Sequence, residues 1–249
     1  MAEPLRLYGL KAVVTKAASG IGEAVARTLA KHGATVMAID DANSGVEQVF
    51  RSVKGVETAV ADMNDATQQA ATIGDAVDAL GGVDILVVNL PLERRLPIEG
   101  PGEEADKLIK WRDDLTNAIC RNALPHLKKS PCGRIISIGY LRSEFTAEAG
   151  NEWQKSEQAL ATLTRNLALE IGEFGITANY VQPGGIMTPA SREAFRRDLP
   201  LRDYCISNSA ARRLGEPVDV AKVVLFLASD DAVFVSGTGI SVDGGLVAS

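Results

Sequence analysis

The chain has 249 residues, 46% hydrophobic and 23% charged, a balance ordinary for a globular protein with a sizeable core. A net charge of −6 argues against a nucleic-acid partner, no apolar run approaches the length of a membrane span, and the opening MAEPLRLYGLK lacks the apolar stretch of a signal peptide. The cysteines, Cys120, Cys132 and Cys205, form an odd, widely spaced set that fits reduced thiols in a cytoplasmic protein, and with His32 and His126 as the only histidines no histidine-based metal site is expected.

Taken in chain order, residues 11–15 (KAVVT) read as a buried strand, and residues 21–32 as a helix with Ile21, Val25 and Leu29 on one face and Gly33 as its C-cap. The next strand spans 35–39 and ends at Asp40-Asp41; a weaker one spans 58–61, before Asp62. Residues 66–80 read as a helix stopped by Gly81-Gly82, and 83–88 as an apolar strand covered on both faces. After a Pro-, Gly- and charge-rich loop at 90–106 come a helix over 107–128, with Pro125 near its end, and a strand over 134–138. A long amphipathic helix over 152–174, a strand over 177–181, a helix over 218–228 and a strand over 239–242 complete the pattern. The polar segment 188–211 reads as a mobile lid over the ligand face. This alternation predicts a single α/β domain over 1–249, a doubly wound parallel sheet of the Rossmann, dinucleotide-binding type.

A glycine-bearing turn, Thr15-Lys16-Ala17-Ala18-Ser19-Gly20-Ile21-Gly22, follows the first strand and opens a helix, the placement that lets backbone approach a pyrophosphate. With Asn89, Asn179, Pro183-Gly184 through Thr188, Arg213-Leu214-Gly215 and Val242-Asp243-Gly244-Gly245, the chain resembles the short-chain dehydrogenase/reductase family from end to end. Two motifs depart from the family pattern. Lys16 stands where TGxxxGIG has its first glycine, and of the family's NNAG, matched by Val88-Asn89-Leu90-Pro91, only Asn89 is kept. The resemblance implies dinucleotide contacts at Ser19, Ile21, Asp40 (the ribose acid of NAD-using members), Asp62 (beside adenine), Asn89 and Thr188. These are read as vestigial or weak, with Lys16 filling part of the site, pairing with Asp40, or binding a phosphate. The bland reading of Asn89 and Asn179 is that they stitch loops to the sheet.

The same resemblance implies a catalytic asparagine, serine, tyrosine and lysine, with tyrosine as general acid/base and lysine lowering its pKa. Their positions fall on Arg112, Tyr140, Trp153 and Glu157. An indole N–H does not shuttle protons, and Glu157 reverses the charge the lysine would supply. No catalytic residue is therefore assigned, and losing a general acid/base alone costs roughly 10²–10⁴-fold in rate. Tyr140 and Trp153 are expected to fill the emptied pocket.

Members of this family assemble as dimers and two-fold tetramers, through the helix that bears the tyrosine and through the last helix and strand. Here Leu160, Leu163, Leu167 and Ile171, and the apolar runs 223–228 and 240–242, are candidate interface stripes, or core alone. The pattern resembles a non-catalytic subunit of a hetero-oligomeric, NAD-dependent member that oxidises a β-hydroxyacyl-CoA. It implies an active paralogous partner, a tetramer, and NAD on the partner and none on this chain. Two other classes stay open: an enzyme of non-redox chemistry (lyase or dehalogenase) using a Tyr140–Glu157 hydrogen bond, and an NAD-binding regulator.

Overall fold

The computed structural model describes residues 6–90 and 102–246. Its strands are β1 (Lys11–Thr15), β2 (Thr35–Asp40), β3 (Val56–Val60), β4 (Ile85–Val88), β5 (Arg134–Ile138), β6 (Thr177–Pro183) and β7 (Gly239–Val242). They form one parallel sheet in the order β3-β2-β1-β4-β5-β6-β7. The helices are α1 (Gly20–Lys31), α2 (Val46–Phe50), α3 (Ala66–Leu80), α4 (Glu103–Leu127), α5 (Gly150–Ile171), α6 (Pro189–Arg197), α7 (Leu199–Ser207) and α8 (Pro217–Ala228). None of the described helices is long and apolar enough to cross a membrane.

β1 and β4 are neighbours in the sheet while α1, β2, α2, β3 and α3 lie between them in sequence, so the strand order reverses there. That reversal opens a crevice at the carboxyl ends of the strands, where ligands of such sheets bind. Two apolar cores flank the sheet. One gathers Val14, Ile21, Val25, Leu29, Val224 and Leu227 beneath α1 and α8; the other gathers Val13, Ile73, Leu86, Ile119, Leu167 and Ile171 beneath α3, α4 and α5. Each strand in the middle of the sheet feeds both cores, which is why β4 and β5 are buried at every residue.

Several boundaries differ from the sequence reading. α2 was not anticipated: Val46 and Phe50 lie one turn apart and bury against the α1 side, in a helix too short to show a period. The strand expected over 58–61 runs from Val56, the one expected over 83–88 starts at Ile85, and the long helix gives way to a 3₁₀ turn at Gly172. α4 begins at Glu103, inside the expected loop 90–106, because Glu103, Glu104 and Asp106 are acids at the positive end of the helix dipole. Residues 91–101 of that loop, with Pro91, lie outside the described residues.

The segment 188–211, expected as a lid, is built of the helix pair α6 and α7. Thr188 caps α6 by accepting from the Ser191 backbone N–H (3.0 Å), and Asp198 caps α7 by accepting from Leu201 N–H (2.8 Å). Phe195, Leu201 and Cys205 bury together as a satellite core that the polar composition had hidden. Leu160, Leu167 and Ile171 are likewise core, the second of the two readings given for that stripe; the large apolar residues that α4 and α5 leave exposed are Trp111 and Leu169.

Candidate functional site

The glycine-bearing turn lies at the crevice. Parallel register sets Thr15 beside Ile39, so Lys16 leaves β1 next to Asp40 and Asp41. Lys16 adopts φ +47°, one of only two non-glycine residues with positive φ among the described residues, a backbone state that costs an L side chain about 1–2 kcal/mol. Its ammonium donates to Asp41 Oδ2 and lies 3.8 Å from Asp40 Oδ1. The hydrogen-bonded partner is thus Asp41, the neighbour of the expected Asp40.

Asp40 is buried and its carboxylate is occupied: Oδ2 accepts from Ala18 N–H at 2.7 Å and Oδ1 from Asp41 N–H at 2.8 Å. Each of those oxygens keeps a lone pair that a ribose diol could use, and the Lys16 ammonium crowds Oδ1 from 3.8 Å. Asp62 is exposed and turns inward on its own loop, accepting from Asn64 N–H at 2.9 Å. Ser19 is the α1 N-cap residue but makes no side-chain cap bond, and Ile21 is core. A Cβ on Gly20 would meet the Thr188 side chain at 3.2 Å, so the start of α6 lies over the turn.

Asn89 holds the turn to β4. Its Nδ2 donates to Lys16 O (3.0 Å), its backbone N–H donates to Thr15 Oγ1 (3.0 Å), and that hydroxyl donates back to Asn89 O (2.9 Å). Asn179 does the same lower in the sheet, donating to Val235 O at 2.7 Å and accepting from Thr238 N–H. Both asparagines are used as stitches.

Of the four expected catalytic positions, three come together. Arg112, on α4, is buried and lays its guanidinium over the Tyr140 ring, 4.1 Å from the ring centre. Its Nη2 donates to Ile138 O (2.9 Å), and its Nη1 faces Glu144 Oε2 at 3.8 Å. Tyr140 and Trp153 share an apolar cluster with Ala105, Ile109, Phe145 and Ala149, and Phe145 meets the Tyr140 ring edge-on at 5.8 Å. Tyr140 Oη donates to Leu108 O at 3.1 Å. Burial, set against the neighbouring Arg112 cation, pushes its phenol well above the ordinary tyrosine range. A phenol so held neither ionises near neutral pH nor reaches a substrate oxygen.

Glu157 is elsewhere. Its carboxyl is pushed up by burial and by the Asp243 carboxylate, and it is in turn felt by Tyr180. The alternative of a Tyr140–Glu157 hydrogen bond gives way to Tyr140–Leu108, because α4 crosses over the phenol. Lys155 points away from this cluster to an exposed ion pair with Asp106, 3.1 Å. The buried indole N–H of Trp153 has no hydrogen-bond partner among the described residues. Trp153 also forms part of the wall of a cleft of about 270 Å³ with Arg142 and Tyr204, which stack at 4.6 Å.

Three participants were not legible beforehand. Asp41 is signalled only by strand register, Glu144 only by the 3₁₀ turn that returns it to Leu141 N–H, and Asp113 only by its place beside Arg112. Burial, set against Arg112, raises the Asp113 carboxyl to about 6. The native fold then holds a proton that the unfolded chain releases above its ordinary value of 3.8, so stability falls as pH rises between about 4 and about 6. Asp113→Asn is expected to raise stability at pH 8 by about 1–2 kcal/mol, a figure reduced for partial exposure, with the gain gone below pH 4. Urea unfolding at pH 3.5 and pH 8 checks it; equal gains at both would refute it.

The comparisons with known proteins agree with this architecture. Residues 17–247 match the family model described as enoyl-(acyl carrier protein) reductase. The chain belongs to the short-chain dehydrogenase/reductase family. Members of the family generally use NAD(P). The chain is 30% identical to D-beta-hydroxybutyrate dehydrogenase of Rhizobium meliloti (strain 1021), over 95% of this chain and 98% of the relative. It is 33% identical to the (2S)-[(R)-hydroxy(phenyl)methyl]succinyl-CoA dehydrogenase subunit BbsD of Thauera aromatica, over 94% and 95%. Among solved structures, it resembles a hydroxysteroid dehydrogenase from Escherichia coli with a TM-score of 0.84 and 28% identity, covering 98% of each chain.

Proposed function

We propose that this short-chain dehydrogenase/reductase chain is the non-catalytic subunit of a hetero-oligomeric, NAD-dependent dehydrogenase that oxidises a β-hydroxyacyl-CoA. The observation that carries the reading is the Arg112–Tyr140–Trp153 packing, with Glu157 in place of a lysine: the positions of the family's proton relay are spent on a buried stack. NAD and the chemistry belong to a paralogous partner. The substrate is of the type of 2-[hydroxy(phenyl)methyl]succinyl-CoA, converted to benzoylsuccinyl-CoA in toluene degradation. The name of the Thauera aromatica relative, a subunit of such a dehydrogenase, supports both the substrate class and the partnership.

Exposed apolar side chains support assembly. Trp111 and Leu169 stand out from α4 and α5, Leu169 at 84% exposure, and Val233 and Phe234 stand out before the edge strand β7, Phe234 fully exposed. Large apolar side chains so placed suit subunit contacts of a two-fold tetramer.

Co-expression with an intact paralogue, followed by native mass measurement and an assay of NAD reduction, tests the reading. The expected species is a mixed tetramer that binds NAD at the partner's sites alone, while this chain by itself turns nothing over. Leu169→Arg combined with Phe234→Asp is expected to lower the mixed tetramer by about 10-fold or more at equal protein concentration, with the circular dichroism of this chain unchanged. A homo-oligomer of this chain that carries NAD at every site and reduces it overturns the proposal.

A further inference from the structure

The acid pair at the end of β2 already has an occupant drawn from the chain itself. We infer that Lys16 is an internal ligand of Asp40 and Asp41, and that it holds shut a latent adenine-nucleotide site at this end of the crevice. The inference rests on the proposal that this chain carries no NAD.

The ammonium lies against the acid that the family resemblance assigns to the ribose. Its Nζ donates to Asp41 Oδ2 and lies 3.8 Å from Asp40 Oδ1. The Lys16 side chain is 12% exposed and that of Asp40 9%, while the hydrogen-bonded Asp41 faces solvent at 37%, so the ammonium is covered on the Asp40 side. An ammonium brings three donors and a full charge to acceptors that would otherwise receive two neutral hydroxyls. It is also tethered one residue past β1, so no dilution removes it. The positive φ of Lys16 fits this role, since the strained turn is where Lys16 leaves β1 beside the two acids.

Behind the latch the frame for a nucleotide is kept. Gly20 retains the φ of +56° that the turn needs, and Gly22 packs so closely under Lys16 O that an added Cβ would lie 2.0 Å from it. α1 runs twelve residues from Gly20 and presents its N-terminus to the crevice, the arrangement that receives a pyrophosphate. What the ammonium takes up is the Asp41 acceptor and the space beside Asp40 Oδ1, and both return if it is removed, while the backbone donors to Asp40 stay.

Calorimetric titration with ADP-ribose tests the inference on the full chain and on Lys16→Gly and Lys16→Ala, each checked for an intact melting transition. Lys16→Gly removes the ammonium and relaxes the backbone; Lys16→Ala removes the ammonium alone. Both are expected to bind at least about 10-fold more tightly than the unaltered chain. If both melt cooperatively and neither gains affinity, the latch is wrong while the absence of NAD on this chain still stands. If only Lys16→Gly gains, the backbone and not the ammonium closes the site, and the inference fails. If the unaltered chain binds ADP-ribose as tightly as the variants, the inference fails, and saturation of the unaltered chain with NAD would remove the underlying reading as well.

Discussion

Arg112→Ala is expected to lower folding stability by about 3–5 kcal/mol, the usual cost of breaking one side of a buried charge pair. The guanidinium is nearly inaccessible, with a side-chain exposure of 4%, and three groups depend on it. Ile138 O loses its donor, Glu144 loses the cation 3.8 Å away, and the face of Tyr140 loses its cover. Each kcal/mol moves the midpoint of a chain this size by roughly 2–4 °C, so melting falls by roughly 6–20 °C. The double variant Arg112→Met with Glu144→Gln removes both charges and keeps the volume. It is expected to recover most of the loss, because replacing a whole buried pair by side chains of similar size is often neutral. Scanning calorimetry on the two variants decides the matter. A loss under about 1 kcal/mol for Arg112→Ala would mean that the stack is incidental packing.

That experiment bears on function because the stack occupies the positions that the family resemblance assigns to a proton relay. A proton relay needs groups that titrate near the working pH and reach the substrate. A cation held over a phenol that donates to Leu108 O meets neither need. Stability gained by Arg112 and activity are therefore alternatives at this site. Tyr140→Phe speaks to the same point from the other side: it removes one hydrogen bond and is expected to leave the activity of the mixed oligomer unchanged.

Much of the fold was legible in the sequence because it rests on local signals. KAVVT, Gly33, Asp40-Asp41, Gly81-Gly82 and RIISI punctuate strands and helices within a few residues of where they fall. Elements without periodicity or with polar surfaces were not: α2 is five residues long, and α6 and α7 bury only Phe195, Leu201 and Cys205 at their centre. At the site, the identities Lys16, Arg112, Tyr140, Trp153 and Glu157 were readable, but their partners were not. Asp41, Leu108, Ile138 and Glu144 are chosen by strand register and by the path of α4 over β5, properties of the assembled chain that no spacing encodes.

Gly22→Ala is expected to be severely damaging, at about 4 kcal/mol or more, enough to deplete soluble protein. The new methyl carbon would lie 2.0 Å from Lys16 O and 2.8 Å from Asn89 Nδ2. Neither atom has freedom to yield, since Asn89 Nδ2 is donating to that same carbonyl at 3.0 Å and the Asn89 backbone is tied to Thr15 Oγ1. Gly74→Ala is the matched control: it lies inside α3 with nothing within 4 Å of the added carbon, and the substitution is expected to stabilise the helix by about 0.5–1 kcal/mol. Soluble yield and urea midpoints of the two variants check the pair. A Gly22→Ala chain that folds normally would show that α1 can lift away from β1, and the close approach would then be no constraint. A severe loss would separate the two roles of the turn. Gly22 and Asn89 serve the fold whether or not a nucleotide is bound, which is why they match the family pattern here. At the first-glycine position Lys16 turns to the acids beside it.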